Sequence, residues 1–293
     1  MRAVVLSIGT ELVCGLRLDT HAADIARAVA GLGVDVVRHE TLDDDTGAIA
    51  SALRRAADAA DVVITTGGLG PTRDDCTRHG LAEATGAPLA EHPDAVAHLA
   101  AWAQARGREV GPSNRVQTLL PEGAEPLPNP VGTAVGIAAR LGEARIFCLP
   151  GVPAEMRPML EGAVLPRLRE AQPGRATRVR TIRTFGLPES EVGERLADLM
   201  AAGRHPRLGT ACHAGVIDVH VYASGPPEEV DRLLEADAAE VRRRLGSAVF
   251  GEGEKTMEAA VADLLRDAGA TVALAESCTG GLVAAKLVNV PGM

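Results

Sequence analysis

Aromatic side chains are nearly absent from the 293 residues, which hold three Phe, one Trp and one Tyr. The cores must therefore be built from Ala, Val and Leu, and platforms on which bases could stack are scarce, which argues against single-strand nucleic-acid binding. Basic charge is short as well: 30 Lys and Arg face 39 Asp and Glu, a formal net charge of −9. Affinity for a polyanion rests on Lys and Arg neutralising phosphates, so a nucleic-acid partner is disfavoured. The basic run Arg242-Arg243-Arg244 ends an amphipathic helical pattern, where it complements the helix dipole.

The five cysteines, Cys14, Cys76, Cys148, Cys212 and Cys278, are dispersed and form no Cys-x-x-Cys pair, which fits a reducing compartment. No apolar run reaches membrane-spanning length, and Met1-Arg2 leads straight into a short strand pattern without a signal sequence. A cytoplasmic protein without a membrane partner is the expectation. The eight histidines lack zinc-type spacing, and there is neither a Gly-x-Ser-x-Gly elbow nor a Walker Gly-Lys-Ser/Thr, so zinc hydrolase, serine hydrolase and P-loop chemistries are excluded.

What is present is an alternation of short apolar runs with helical patterns. Ala3 to Ile8 reads as a strand, Thr20 to Leu32 as a helix, Val34 to Val37 as a strand, Thr46 to Ala57 as a helix, Asp61 to Thr65 as a strand and Cys76 to Thr85 as a helix. Such a βαβαβα series predicts an α/β fold with a parallel sheet and ligands beyond the carboxyl ends of the strands. A further strand at Arg145 to Cys148 precedes a helix reaching about Glu170. After 171–174 the grammar changes to α+β: strand-like Thr177 to Phe185, helical Glu189 to Met200, strand-like Leu208 to Cys212 and Val216 to Ala223, and helical Pro227 to Leu245. Past a Gly-rich linker come a helix from Met257 to Ala268, a strand from Thr271 to Ala275, and Glu276 to Gly281 opening another helix. The division expected is 1–172, 173–250 and 251–293, the last short enough to read as part of a domain.

Three strand exits carry unusual chemistry and should line one crevice: Gly9-Thr10-Glu11, Thr65-Thr-Gly-Gly-Leu-Gly-Pro-Thr-Arg-Asp-Asp75, and Leu149-Pro-Gly-Val-Pro-Ala-Glu-Met156. In the second, Gly67, Gly68 and Gly70 permit positive φ and close backbone approach, which suits phosphate, while Asp74 and Asp75 suit a hard cation. A plain turn needs fewer glycines. One of Asp74 and Asp75 also serves as an N-cap, and Glu11 is either a site carboxylate or an ordinary first-turn acid. Arg73 reads equally as a phosphate ligand or as a surface ion-pair partner. Near the end, Ser277 and Thr279 precede Gly280-Gly281, a nucleophile or phosphate anchor on one reading and an N-cap plus turn on the other.

These residues resemble the CinA family (competence/damage-inducible protein A), whose first domain resembles the molybdopterin-binding fold of MoaB and MogA. The resemblance rests on Ser7-Ile-Gly-Thr-Glu-Leu12, Thr66 to Asp75, Ser113-Asn-Arg-Val-Gln117, Asn129-Pro-Val-Gly-Thr-Ala-Val-Gly136, Leu149 to Met156, Phe185-Gly-Leu-Pro-Glu-Ser190 and Ala275-Glu-Ser-Cys-Thr-Gly-Gly281, in order along the whole chain. It implies a three-layer α/β domain with a mostly parallel sheet, then a small KH-like α+β domain, then an incomplete α/β segment. The KH-like part lacks the Gly-x-x-Gly loop that clamps nucleic acid, so RNA binding is not expected.

The resemblance also implies hydrolysis of ADP-ribose to AMP and ribose 5-phosphate, with a divalent metal (Mg, Mn or Co type) and potassium, and a homodimer. On that reading Asp74 and Asp75 hold the metal, with Glu11 or Glu155 helping. Gly67, Gly68, Gly70 and Thr72 cradle phosphate, and Gly9, Thr10, Asn114, Asn129, Thr133, Pro150 and Gly151 shape the rest of the pocket for a phosphorylated nucleotide. Binding of a nucleotide or pterin without turnover is the alternative. The last domain of relatives deamidates nicotinamide mononucleotide and continues beyond Met293, so Ser277 and Thr279 are expected to be vestigial here, because an alcohol without a base is a poor nucleophile. Where relatives read Asn-Thr-Asn, this chain has Asp19-Thr-His21, which changes the polarity of the site.

Overall fold

The computed structural model describes residues 1–171 and 174–293 and divides into two compact units, Met1–Ala176 and Thr177–Met293. The expected boundary between 172 and 173 lies outside the described residues. The first unit runs β1 (Arg2–Ile8), α1 (Thr10–Val13), α2 (His21–Ala30), β2 (Asp35–Leu42), α3 (Thr46–Ala59), β3 (Val62–Thr66), α4 (Thr77–Thr85), β4 (Leu89–Glu91), α5 (Pro93–Ala105), β5 (Leu119–Pro121), β6 (Glu125–Leu127), β7 (Gly136–Leu141), β8 (Ala144–Leu149), α6 (Pro153–Met159) and α7 (Leu165–Ala171). A single π-helical turn, Leu160–Val164, joins α6 to α7.

Its sheet has the order β2-β1-β3-β8-β7-β6. The first four strands are parallel, which is the alternation read from the sequence, while β7 and β6 extend the sheet as antiparallel strands. Both faces are covered. Val4, Leu6, Val63, Ile146 and Cys148 pack on Ile49 and Leu53 of α3 and Leu81 of α4, whereas Ala3, Val5, Ile64, Phe147 and Leu149 pack on Ile25 and Val29 of α2 and Met156 and Leu168 of α6 and α7. This two-sided burial explains why the central strands read as continuous apolar runs rather than alternating ones. Two elements have weaker signatures: α5 is apolar around much of its surface, and β4 pairs with β5 over three residues only.

In the second unit, β9 (Ala176–Phe185), α8 (Glu189–Arg195), β10 (Arg207–His213), β11 (Val216–Gly225), α9 (Pro227–Leu245), β12 (Val249–Glu252), α10 (Met257–Asp267) and α11 (Leu282–Val288) follow in order. The sheet order is β10-β11-β9-β12. Alternate residues Ile217, Val219, Val221 and Ala223 of β11 face Val230, Leu234, Ala238, Val241 and Leu245 of α9, spaced three or four apart along one helical stripe.

Two expectations need correction. The helix expected over Glu189 to Met200 stops at Arg195, whose carbonyl accepts from the Arg244 guanidinium at 2.9 Å, so a side chain replaces the next helical turn. Residues 271–275 form no strand: Val272 and Leu274 are exposed, and no neighbouring strand supplies a ladder among the described residues. Thr256 caps α10, and the Glu276 carboxylate accepts from the N–H groups of Val283 and Ala284 at the start of α11. Among the described residues no helix is long and apolar enough to cross a membrane.

One polar contact anchors the second core. Arg204 donates through two nitrogens to the two oxygens of Asp237, a buried residue on α9, and also donates to the Pro206 carbonyl. Removing the acid strands a guanidinium in a partly closed pocket, so Asp237→Ala is expected to destabilise by roughly 2–3 kcal/mol, at the low end for a buried pair because Arg204 keeps some solvent. Urea denaturation followed by the near-ultraviolet signal of Tyr222 checks this.

Candidate functional site

The crevice lies where the sequence placed it, beyond the carboxyl ends of β1, β3 and β8. It encloses about 360 Å³, at the small end of the ~300–1,000 Å³ usual for ligand sites. Gly9 and Glu11 follow β1, Gly67, Gly68, Gly70, Asp74 and Asp75 follow β3, and Pro150, Gly151 and Glu155 follow β8. The first and second exits are locked together closely. At φ +103°, Gly67 holds a conformation unfavourable for other residues, and a Cβ there would collide with the Ile8 carbonyl oxygen.

The loop from Gly67 to Gly70 owes its orientation to the first two residues of α4. The Thr77 hydroxyl donates to the Gly67 carbonyl at 2.7 Å, and the Thr77 N–H donates to that of Gly68 at 3.1 Å. Arg78, 1% exposed, donates to the carbonyls of Leu69 at 2.6 Å and Gly70 at 3.1 Å. Burial pulls its guanidinium down to about 10, against the pull of Asp75, so it stays charged at neutral pH. Four successive carbonyls are thus engaged by α4. Gly67 N–H is spent on Leu149 and Gly70 N–H on Asp75, but the N–H groups of Gly68, Leu69 and Gly151 donate to no protein acceptor among the described residues. An anion beside them meets ready donors.

Asp75 is an organiser of this loop. Its carboxylate accepts from Gly70 N–H at 2.7 Å, from Thr72 N–H at 2.8 Å and from the Thr72 hydroxyl. Thr72 is therefore spent on Asp75 and does not line the crevice. Asp74 is exposed; it competes with Asp75 for that single hydroxyl proton and, with help from its own backbone N–H, is held below the ordinary carboxylate range. Arg73 is exposed and stands outside the lining.

Other anticipated ligands act one step back. The Thr10 hydroxyl and N–H bond Asp43 and Asp44 in the loop after β2, which brings Asp44 into the lining. Asn114 donates to Gln117 at 3.2 Å, and Gln117 lines the crevice in its place. Asn129 is 3% exposed and fully used: its amide donates to Ala134 and to Glu155 Oε2 at 2.7 Å, and its oxygen accepts from Val131 and Gly132. It orients Glu155 and the loop bearing Thr133, which lines the crevice directly. From outside, His98 contacts the Gly132 carbonyl at 3.0 Å and Trp102 donates to that of Val131 at 3.0 Å, both from α5. Asp44, Gln117 and Arg78 were not singled out from the sequence; for Arg78 the signal available was a cation among the apolar positions of a helix.

Charge in the crevice is one-sided. Glu11, Asp44, Asp74, Asp75 and Glu155 line it, and no Lys or Arg does. Yet no group of three or more His, Cys, Asp or Glu is arranged to hold a metal among the described residues. The carboxylates present do not fit an all-protein cage of the kind that holds calcium. In the second unit, Ser277 and Thr279 are exposed, and the Thr279 side chain and three backbone N–H groups hold Glu276 below its ordinary pKa.

Comparison with known proteins bears on the whole chain. Residues 4–170 match the family described as probable molybdopterin binding domain, 179–251 the damage-inducible protein CinA KH domain, and 254–293 the CinA C-terminal domain. A CinA-like protein of Geobacter metallireducens is 44% identical across the full chain, which covers 71% of that protein. A CinA-like protein of Myxococcus xanthus is 42% identical, again across the full chain and 70% of the relative. A crystal structure of CinA, of unknown function, from Thermoplasma acidophilum superposes with a TM-score of 0.54 at 33% identity, covering 57% of this chain and 99% of that one. An α/β domain of the MoaB/MogA type, with its mostly parallel sheet, is thus followed here by the KH and C-terminal segments in family order, and the chain belongs to the CinA family.

Proposed function

We propose that the crevice of the first unit hydrolyses the diphosphate of ADP-ribose or a related nucleoside diphosphate compound. Water adds to one phosphorus, the P–O–P bond breaks, and AMP and a sugar phosphate leave. The observation that carries this reading is the pairing of free N–H groups at Gly68, Leu69 and Gly151 with five carboxylates and no basic side chain. The N–H groups ask for an anion. The carboxylates would repel it unless a cation came too, and a diphosphate brings oxygens for both.

The metal would be held by Asp74, with Glu11 assisting, while Asp75 is already occupied with Gly70 and Thr72. A bound divalent ion neutralises diphosphate charge and makes a water more acidic. Asn129 fixes one oxygen of Glu155, whose other oxygen accepts no protein hydrogen bond among the described residues and serves to orient and deprotonate the attacking water. Family resemblance supports a potassium requirement, a homodimer and a cytoplasmic setting as parts of the same proposal. A crevice that binds the nucleotide without turnover is the competing reading, favoured by Asp19 and His21 standing where relatives read Asn.

Incubation of the purified chain with ADP-ribose, with and without manganese and potassium, decides between them. Metal-dependent AMP release is expected, with Glu155→Gln lowering kcat by about 100-fold. Asp74→Asn is the informative metal variant, raising the metal concentration for half-maximal rate at unchanged melting temperature. Asp75→Asn would dismantle the loop whatever its role in metal binding. Thermal stabilisation by ADP-ribose with no AMP released would leave only binding.

The clamp from α4 makes a separate prediction. Arg78→Met leaves the Leu69 and Gly70 carbonyls without their donors and should cost roughly 2–4 kcal/mol, abolishing ADP-ribose binding as the loop relaxes. Arg73→Met, by contrast, should change neither melting temperature nor binding.

A further inference from the structure

At the other end of the sheet, where β7 turns back into β8, a cavity of about 460 Å³ opens on the face that Phe147 shares with Leu168 of α7. Arg145, at the start of β8, lies in its wall. From there to Pro150, where the crevice begins, an extended chain covers about 17 Å. The two spaces share no lining residue.

The register of the β7–β8 hairpin sets Arg140 directly opposite Arg145. Directly opposed residues share one face of a sheet, both arginines line the cavity, and like charges so placed repel. Neither is neutralised by a carboxylate among the described residues. Arg145 donates to the Arg167 carbonyl at 3.2 Å and to Met1 Sδ at 3.6 Å, both uncharged acceptors. Arg140 makes no hydrogen bond or ion pair among the described residues. Burial and Arg140 both pull Arg145 below its ordinary pKa, with Asp61 opposing them. A third arginine in the wall, Arg167, is already paired with Glu125. Glu122 and Glu170 also line the cavity, but their carboxylates pair with neither arginine. Their repulsion grows with the charge and size of an entering anion, so a polyphosphate is resisted more than a compact group seated on the two guanidiniums.

We infer that this cavity binds a small, doubly charged oxyanion, a phosphate group or a dicarboxylate, between Arg140 and Arg145. Both kinds of anion present paired oxygens, which planar guanidinium forks meet through parallel N–H···O bonds. An anion there turns the repulsion between the opposed arginines into two attractions, and by binding the folded state it stabilises the first unit. The inference stands apart from the diphosphate reading of the crevice, which offers backbone donors among carboxylates and calls for a cation, whereas this cavity supplies fixed positive charge of its own.

Calorimetry on the full chain in EDTA, at fixed ionic strength, titrates inorganic phosphate in one arm and malonate in the other. Without a metal the crevice carboxylates repel both probes. One-to-one binding with a Kd below about 5 mM is expected for at least one of them, and the tighter arm tells phosphate from dicarboxylate. Arg140→Gln should weaken that binding by about tenfold or more, since it removes a charge-assisted contact. Without anion the same variant should melt no lower than wild type, because the repulsion on Arg145 is relieved. Glu122→Gln should tighten binding by about threefold, a gain that damage to the fold does not produce. Affinity equal in wild type and Arg140→Gln, no saturable binding of either probe below about 5 mM, or an anion-free Arg140→Gln that melts below wild type overturns the site.

Discussion

Four carbonyl oxygens, from Gly67 to Gly70, are all held by two neighbouring residues, Thr77 and Arg78, and the site depends on that arrangement. A peptide group whose oxygen is tied on one side leaves its N–H for the other. Holding the carbonyls against α4 is what frees Gly68 and Leu69 as donors beside the crevice. Arg78 does this from a buried position at considerable desolvation cost, which its lowered pKa records. The guanidinium suits the task because its planar fork reaches two carbonyls at once, which a lysine ammonium would not do with the same geometry.

Around that clamp the other strand exits are arranged by close backbone approach and by polar side chains that never reach the ligand space. A Cβ on Gly151 would sit 3.2 Å from the Gly67 Cα, so the exits of β3 and β8 meet at two glycines. Asn129 satisfies all of its amide capacity in fixing Glu155 and the 129–134 loop, and α5 supports that loop from behind through His98 and Trp102. The outcome is an acidic crevice that also holds backbone N–H groups without protein acceptors among the described residues, the combination on which the proposed joint entry of a cation and an anion rests.

The basic run at the end of α9 illustrates how tertiary structure assigns charges. Arg242 pairs with Glu235 and Glu252, Arg243 with Glu240, and Arg244 with Asp198 and Glu240. These arginines also sit in the last turn of their helix, so the dipole reading stands, and each guanidinium is paired with at least one carboxylate. Much of this exposed network contributes little to stability individually; its consequence is that a chain of net charge −9 keeps its one basic cluster neutralised.

Local signals in the chain specify the parallel strands, the helices between them and the meeting of three unusual strand exits, because apolar periodicity and glycine placement survive without partners. Asp74, Glu11, Glu155 and the Gly67 to Gly70 run could be named as crevice residues on that basis. Which residue touches ligand space and which supports it was decided only by the tertiary structure. Thr72, Asn114 and Asn129 have ligand-like chemistry, yet each is consumed by a neighbour that folding brings within hydrogen-bond reach. Asp44 and Gln117 enter the lining through contacts with Thr10 and Asn114, residues 34 and three positions away. The absent strand at 271–275 has the same origin, since a strand is defined by a ladder partner that its own residues cannot supply.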